Sequence, residues 1–182
     1  LALGKAMHIP LLTMQRALEH IAPVPGRAER VNRGQQFNVV VDYAHTPDSL
    51  RALFEAFKGK RLIGVMGSTG GGRDQWKRPE MGAIADQYCD MIILTNEDPY
   101  DEDPQKIMAD ISKGFSRKKP FIIFDRRAAM REAFREAKPG DTVLITGKGT
   151  DPYIMGPKGT KEPWSDKKVA EEELEKLFPN SK

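Results

Sequence analysis

A chain of 182 residues with 39% hydrophobic and 30% charged residues has the make-up of one globular domain with a small appendage. The net charge of +3, with Lys and Arg spread among Asp and Glu, excludes a nucleic-acid-binding arm, and no apolar run approaches the ~20 residues of a membrane span. The single cysteine, Cys89, excludes an intrachain disulfide and fits a reducing, cytoplasmic setting; between Tyr88 and Met91 it reads as a buried structural thiol.

The chain opens Leu-Ala-Leu-Gly-Lys, without Met and apparently within a helix, which reads as a piece of a longer protein. Met14, Ala17, Leu18 and Ile21 share one helical face, and Pro23 and Pro25 then break the pattern. Residues 1–24 are therefore expected to belong to a preceding domain and 25–182 to the domain proper.

Strands and helices alternate from there. Strands are expected over 37–42, 62–66, 91–95, 121–124 and 142–146. Leu50, Leu53, Phe54 and Phe57 give the first helix a buried stripe, with Thr46 as N-cap and Pro47 at its first turn. Met81, Ile84, Ala85 and Tyr88 mark the next, and Asp103-Pro104 opens one carrying Ile107, Ile111 and Phe115. Met130, Ala133, Phe134 and Ala137 line another, and a last helix starts near Ser165 and buries Ala170, Leu174, Leu177 and Phe178. This order implies an α/β fold with a mostly parallel, Rossmann-like sheet flanked by helices, and residues 153–164 suit a short antiparallel edge.

In a parallel sheet the loops after the strands share one edge, where ligands bind. Four such loops are unusual: 42–48, 67–80, 95–101 and 147–152. The first places Asp42 and His45 at a strand end. The second, Gly67 to Asp74, is glycine-rich, but Arg73 and Asp74 stand where a P-loop needs Lys and Ser or Thr, so its backbone N–H groups and guanidinium suit a carboxylate or phosphate instead. Lys77 and Arg78 extend it into a charged cluster whose plain reading is a solvated face. The third, Glu97 to Asp103, is strongly acidic and expected to face Arg73; a cation beside acids can grip both ends of an amino acid. The fourth contains Gly147-Lys148-Gly149-Thr150-Asp151. His8, His20 and His45 show no metal-ligand spacing, and no Ser–His–Asp arrangement is readable.

Together these motifs resemble the carboxyl-terminal domain of the Mur ligases, most closely the UDP-N-acetylmuramoyl-tripeptide synthetase branch. The matching stretches are Val24-Pro25-Gly26-Arg27 through Val31, Asp42-Tyr43-Ala44-His45-Thr46-Pro47-Asp48, Gly71 to Gly82 against GDRDxxKRPxMG, and Gly147-Lys148-Gly149 against GKGxE. Gly72 replaces the first Asp of the third signature and Asp151 the Glu of the fourth.

The resemblance implies an ATP- and Mg2+-dependent ligase adding an amino acid to UDP-MurNAc-L-Ala-D-Glu in peptidoglycan synthesis. The nucleotide and metal would be held mainly by upstream Mur ligase domains, so this segment alone should be inactive. By position, Arg73, Glu97, Asp98, Pro99, Tyr100, Gly147 and Asp151 match the amino-acid site, and Arg27, Asp42 and His45 lie toward the nucleotide. Diaminopimelate-adding members carry Asp-Asn-Pro-Arg where this chain has Glu97-Asp98-Pro99-Tyr100. Losing that Arg removes a bidentate carboxylate partner, while Asp98 and Asp151 offer anions to a cation, so a lysine-like substrate is expected over diaminopimelate. The rivals are a sibling ligase, such as a folylpolyglutamate or cyanophycin synthetase, and a non-catalytic binding module.

Overall fold

The computed structural model describes residues 1–22, 24–72 and 74–179. A six-stranded sheet forms its centre, with strands β1 (Glu29–Val31), β2 (Asn38–Asp42), β3 (Leu62–Met66), β4 (Met91–Leu94), β5 (Phe121–Ile122) and β6 (Thr142–Thr146). Their spatial order is β1-β2-β6-β3-β4-β5; β2 to β6 run parallel and β1 pairs antiparallel with β2.

Alternation along each strand decides which helix layer it meets. Val40, Leu144, Met66 and Leu94 point to one face, packed with Leu50, Leu53 and Phe54 of α3 (Pro47–Ala56), Met81 and Ile84 of α4 (Lys77–Tyr88) and Ile107 and Ile111 of α5 (Pro104–Ser112). Val39, Val41, Ile63, Val65, Val143 and Ile145 point to the other, against Met130, Ala133 and Phe134 of α6 (Arg126–Glu136) and Val169, Ala170 and Leu174 of α7 (Asp166–Leu177). The expected stripes are thus the core. Cys89 lies within it at 1% exposure, and burial pushes its thiol up to about 12, so it is an inert packing residue.

The helix starts follow local chemistry. Thr46 caps α3 in a reciprocal box with Ser49, Pro47 taking the first position, and Asp103, Asp125 and Ser165 cap α5, α6 and α7 with their own side chains.

Two details differ from the sequence expectation. The antiparallel edge of the main sheet is β1, whereas β7 (Tyr153–Met155) and β8 (Lys161–Pro163) pair only with each other as a separate hairpin. The amino-terminal pattern is split into α1 (Ala2–Ala6) and α2 (Leu11–Glu19), which bury no residue, and Ile21 falls beyond the second. Among the described residues no helix is long and apolar enough to cross a membrane.

The connections place the site. From β2 to β5 the crossover helices α3, α4 and α5 lie on one face, whereas α6 returns the chain over the other face to insert β6 between β2 and β3. The loop after β6 therefore leaves between two strands whose loops depart to the opposite face. That reversal opens a crevice at the carboxyl ends of the strands.

Candidate functional site

The crevice holds a cavity of about 270 Å³ lined by Tyr43 and His45 after β2, Thr69, Asp74 and Lys77 after β3, Glu97, Asp98 and Tyr100 after β4, and Gly147 and Asp151 after β6. That volume is at the small end for ligand sites. The lining is dominated by ionisable groups of both signs.

The β3 and β4 loops meet backbone to backbone. Gly70 N–H donates to the Asp98 carbonyl at 2.7 Å, and a Cβ on Gly70 would strike the Pro99 carbonyl. This contact sets the height of the acidic loop over the β3 loop. Below it Arg78, fully buried, makes a two-pronged ion pair with Glu102 at 2.7 and 2.8 Å, meets Asp110 at 3.2 Å and donates to the Thr69 carbonyl at 3.1 Å. Arg78 is thus a structural clamp, not part of a solvated face. Its neighbour Lys77 turns toward the cavity, largely buried, with its ammonium 3.9 Å from Asp74.

The β4 loop carries two acids in opposite circumstances. Asp98 accepts from Lys148 Nζ with both oxygens at 2.8 Å and from Met155 N–H at 2.8 Å. Lys148 is 1% exposed and also lies 3.5 Å from Asp151. Asp98 therefore lines the cavity with its charge already matched by a buried cation. Glu97 is 3% exposed; its Oε1 accepts from the Thr69 hydroxyl at 3.1 Å, while Oε2 is buried with no hydrogen-bond partner among the described residues. Burial lifts the Glu97 carboxyl above the usual range and the Asp98 charge adds to this, against the pull of Arg126, Thr69 and Lys148. The orphan oxygen lies against Gly147, whose φ of +107° and lack of Cβ leave it room. A side chain at 147 would displace Glu97.

On the β2 side Asp42 spends its carboxylate on backbone, accepting from Ala28 N–H at 2.6 Å and Ala44 N–H at 2.7 Å. It thereby ties the 25–28 turn to the strand end. Arg27 lies over the Tyr43 ring at 4.5 Å, and Tyr43 meets His45 edge to face at 4.6 Å. The ring nitrogen Nδ1 of His45 hydrogen-bonds the Tyr43 carbonyl at 2.7 Å, and the residue lines the cavity.

The structure thus brings His45, Glu97, Asp98, Tyr100, Gly147 and Asp151 to one cavity wall. Pro99 sits behind it against Gly70, and Arg27 and Asp42 lie beside it. Arg73, expected to face the acidic loop, lies outside the described residues. Sequence reasoning named Asp74 and Lys77 only within a charged cluster and Tyr43 and Thr69 only within the quoted loops, and none of the four as a site residue. Among the described residues no three His, Cys, Asp or Glu side chains are grouped as metal ligands.

Comparison with known proteins gives this geometry a family. The signature of the Mur ligase, glutamate ligase domain, matches residues 26–149. The chain is 48% identical over 178 residues to UDP-N-acetylmuramoyl-L-alanyl-D-glutamate--2,6-diaminopimelate ligase of Aquifex aeolicus, covering 95% of this chain and 36% of that protein. A solved structure of a ligase of the same name superposes with a TM-score of 0.78 at 30% identity, covering 97% of this chain and 37% of the other. The bifunctional folylpolyglutamate synthase/dihydrofolate synthase of Yersinia pestis shares the fold, with a TM-score of 0.54 at 19% identity over 70% of this chain and 29% of that one. The chain spans about a third of the length of the curated relatives it matches. With the signature, the strand order and the loops in register, the chain belongs to the Mur ligase family as its glutamate ligase, or carboxyl-terminal, domain.

Proposed function

We propose that this domain presents a diamino acid to an ATP-dependent ligase that joins it to UDP-MurNAc-L-Ala-D-Glu in peptidoglycan synthesis. The observation that carries this reading is the small cavity in which Lys77 and the acids Asp74, Glu97 and Asp151 come from three loops onto one space. An amino acid has a carboxylate for such a cation and ammonium groups for such acids. Residues 1–24 would be the end of a preceding ATP-binding domain and 25–182 the amino-acid domain; α1 and α2, which bury nothing against the sheet, support that division.

Diaminopimelate is the favoured substrate. Relatives 48% and 44% identical bear that name, and the anions thought to select a plain lysine are reduced by one, since Asp98 is neutralised by Lys148. One observation favours lysine: Tyr100 stands where a guanidinium would hold the distal carboxylate. Lys77 lies in the same cavity and can meet a carboxylate as a point charge.

Bound ATP supplies the phosphoryl group that activates the acceptor carboxylate. Arg27, held by the Asp42-fixed turn and stacked on Tyr43, has the charge and donor set for a phosphate; by the family resemblance the metal would fall to the preceding domain. The chain's own contribution is to hold the amino acid, exclude water from the cavity floor and keep a carboxylate near the amine that must lose a proton. By itself it should hydrolyse no ATP.

The test is calorimetric titration of the chain with meso-diaminopimelate, L-lysine and L-glutamate. Diaminopimelate should bind, and Lys77→Ala and Asp151→Ala should each weaken it by about tenfold, the scale of one charge-assisted contact. Binding of lysine alone would move the specificity to the second reading. Binding of glutamate alone would favour a folylpolyglutamate-type ligase, and binding of none would remove the amino-acid site. Product analysis with the full-length ligase, ATP, Mg2+ and UDP-MurNAc-L-Ala-D-Glu then identifies the amino acid added.

A further inference from the structure

The two loops that close the cavity floor leave strands that are not neighbours: β3 lies between β4 and β6. Asn96, two residues past β4, and Thr146, the last residue of β6, each have a carbonyl that accepts from a buried side chain. One side chain supplies both. Arg126, at the start of α6 and 2% exposed, donates from Nη2 to the Thr146 carbonyl at 2.7 Å and from Nη1 to the Asn96 carbonyl at 3.3 Å. The residues that follow these carbonyls are Gly147 and Glu97, which meet at the cavity floor.

The guanidinium is itself fixed from behind. Asp166, fully buried at the start of α7, accepts from Arg126 Nε and Nη2 at 2.8 and 2.7 Å, and its Oδ1 also accepts from Trp164 Nε1 at 2.7 Å. Trp164 lies where the β7–β8 hairpin runs into α7, and it lines a second, surface cavity. A continuous set of hydrogen bonds therefore runs from Trp164 through Asp166 and Arg126 to both strand ends. Only a planar fork has enough donors in fixed directions to hold a carboxylate and two separate carbonyls at once; an ammonium does not.

We infer that Arg126 is a positioning residue that sets the spacing between the β4 and β6 loops of the amino-acid site, with Asp166 and Trp164 locking its orientation. The inference rests on the reading of that cavity as the amino-acid site. A staple serving only to join α6 to α7 would need the Asp166 pair but neither carbonyl contact.

The test compares Arg126→Lys, Asp166→Asn and Trp164→Phe in the chain by backbone amide NMR and by titration with meso-diaminopimelate. Arg126→Lys and Asp166→Asn should move the amide resonances of Glu97 and Gly147 together, Trp164→Phe less so, while Leu50 and Ile84 in the opposite helix layer stay in place. Affinity should fall by about tenfold in Arg126→Lys, as for one lost charge-assisted hydrogen bond. Shifts confined to residues near 126 and 166, with affinity unchanged, would overturn the inference. Should Arg126→Lys not fold, Trp164→Phe, which keeps the aromatic packing and removes one donor, decides by the same amide pattern. Should the unaltered chain bind no diaminopimelate, the proposed substrate fails, and the ligand-free amide pattern still decides the positioning role.

Discussion

Two glutamates, both almost fully buried, show opposite treatments of the same charge. Glu173 on α7 accepts from Arg127, Arg131 and Lys176 at 2.7 to 2.9 Å. Burial alone would raise its carboxyl, yet these three cations outweigh burial and hold it at about 2. Among the described residues Glu97 has one hydroxyl partner and one oxygen without a hydrogen bond, and its carboxyl is pushed up. Away from the crevice the chain surrounds a buried acid with partners. At the crevice it leaves one open, which is the pattern of a site whose partner arrives from solution.

The strongest way to break a saturated cluster is Arg78→Ala. It would take from Glu102 its two-pronged cation, leave Asp110 with Lys113 alone and free the Thr69 carbonyl, costing about 3 kcal/mol by the scale of a broken buried pair; urea unfolding measures it. Next comes Glu173→Gln, which at neutral pH should cost about 3 kcal/mol. The sign follows from the lowered carboxyl: the stabilisation is complete above pH about 4.5 and drains away as pH falls toward about 2. The gap between the two proteins' unfolding curves should therefore narrow by more than half from pH 7 to pH 3, and a gap that persists undiminished at the lower pH would break the comparison.

For Glu97→Gln the sign reverses. The raised carboxyl is protonated in folded and unfolded chains alike below pH about 4.5, and above it the folded chain bears the cost of ionising it. The variant should be more stable than the parent at pH 8 and equally stable at pH 4, with weaker diaminopimelate binding, the trade expected of a functional site. The smallest effect belongs to Arg131→Ala, since Glu173 keeps Arg127 and Lys176; a loss of about 0.5 kcal/mol by thermal melting would mark that redundancy.

The same contrast explains what was legible in the sequence. Apolar periodicity located β3 and β6 to the residue and the stripes of α3, α4 and α6, because those patterns are local. Phe57 and Phe115 sit just past their helices yet still pack on the core, so the stripe outlasts the hydrogen-bonded turns. β1 escaped notice because Glu29-Arg30-Val31 has no strand periodicity of its own and is defined by its pairing with β2. The buried clamp of Arg78 and the Lys148–Asp98 pair were equally hidden, since their partners lie 24 and 50 positions away. The loops carrying the site were readable from their glycines, acids and motif order. What those loops do to one another was not, as in the loss of Asp98 to Lys148.

The exposed end of the sheet at β5 bears on how the protein behaves at high concentration. Phe121 and Ile122 are each more than half exposed, and among the described residues no strand pairs with their outer backbone edge, a template for stacking a second chain. The ladder there is only two residues long, and it is preceded by Lys118-Lys119-Pro120, where the ring removes a donor and two cations repel a like copy. Oily side chains are thus tolerated at an open border because the chain denies any newcomer a register in which to bind them.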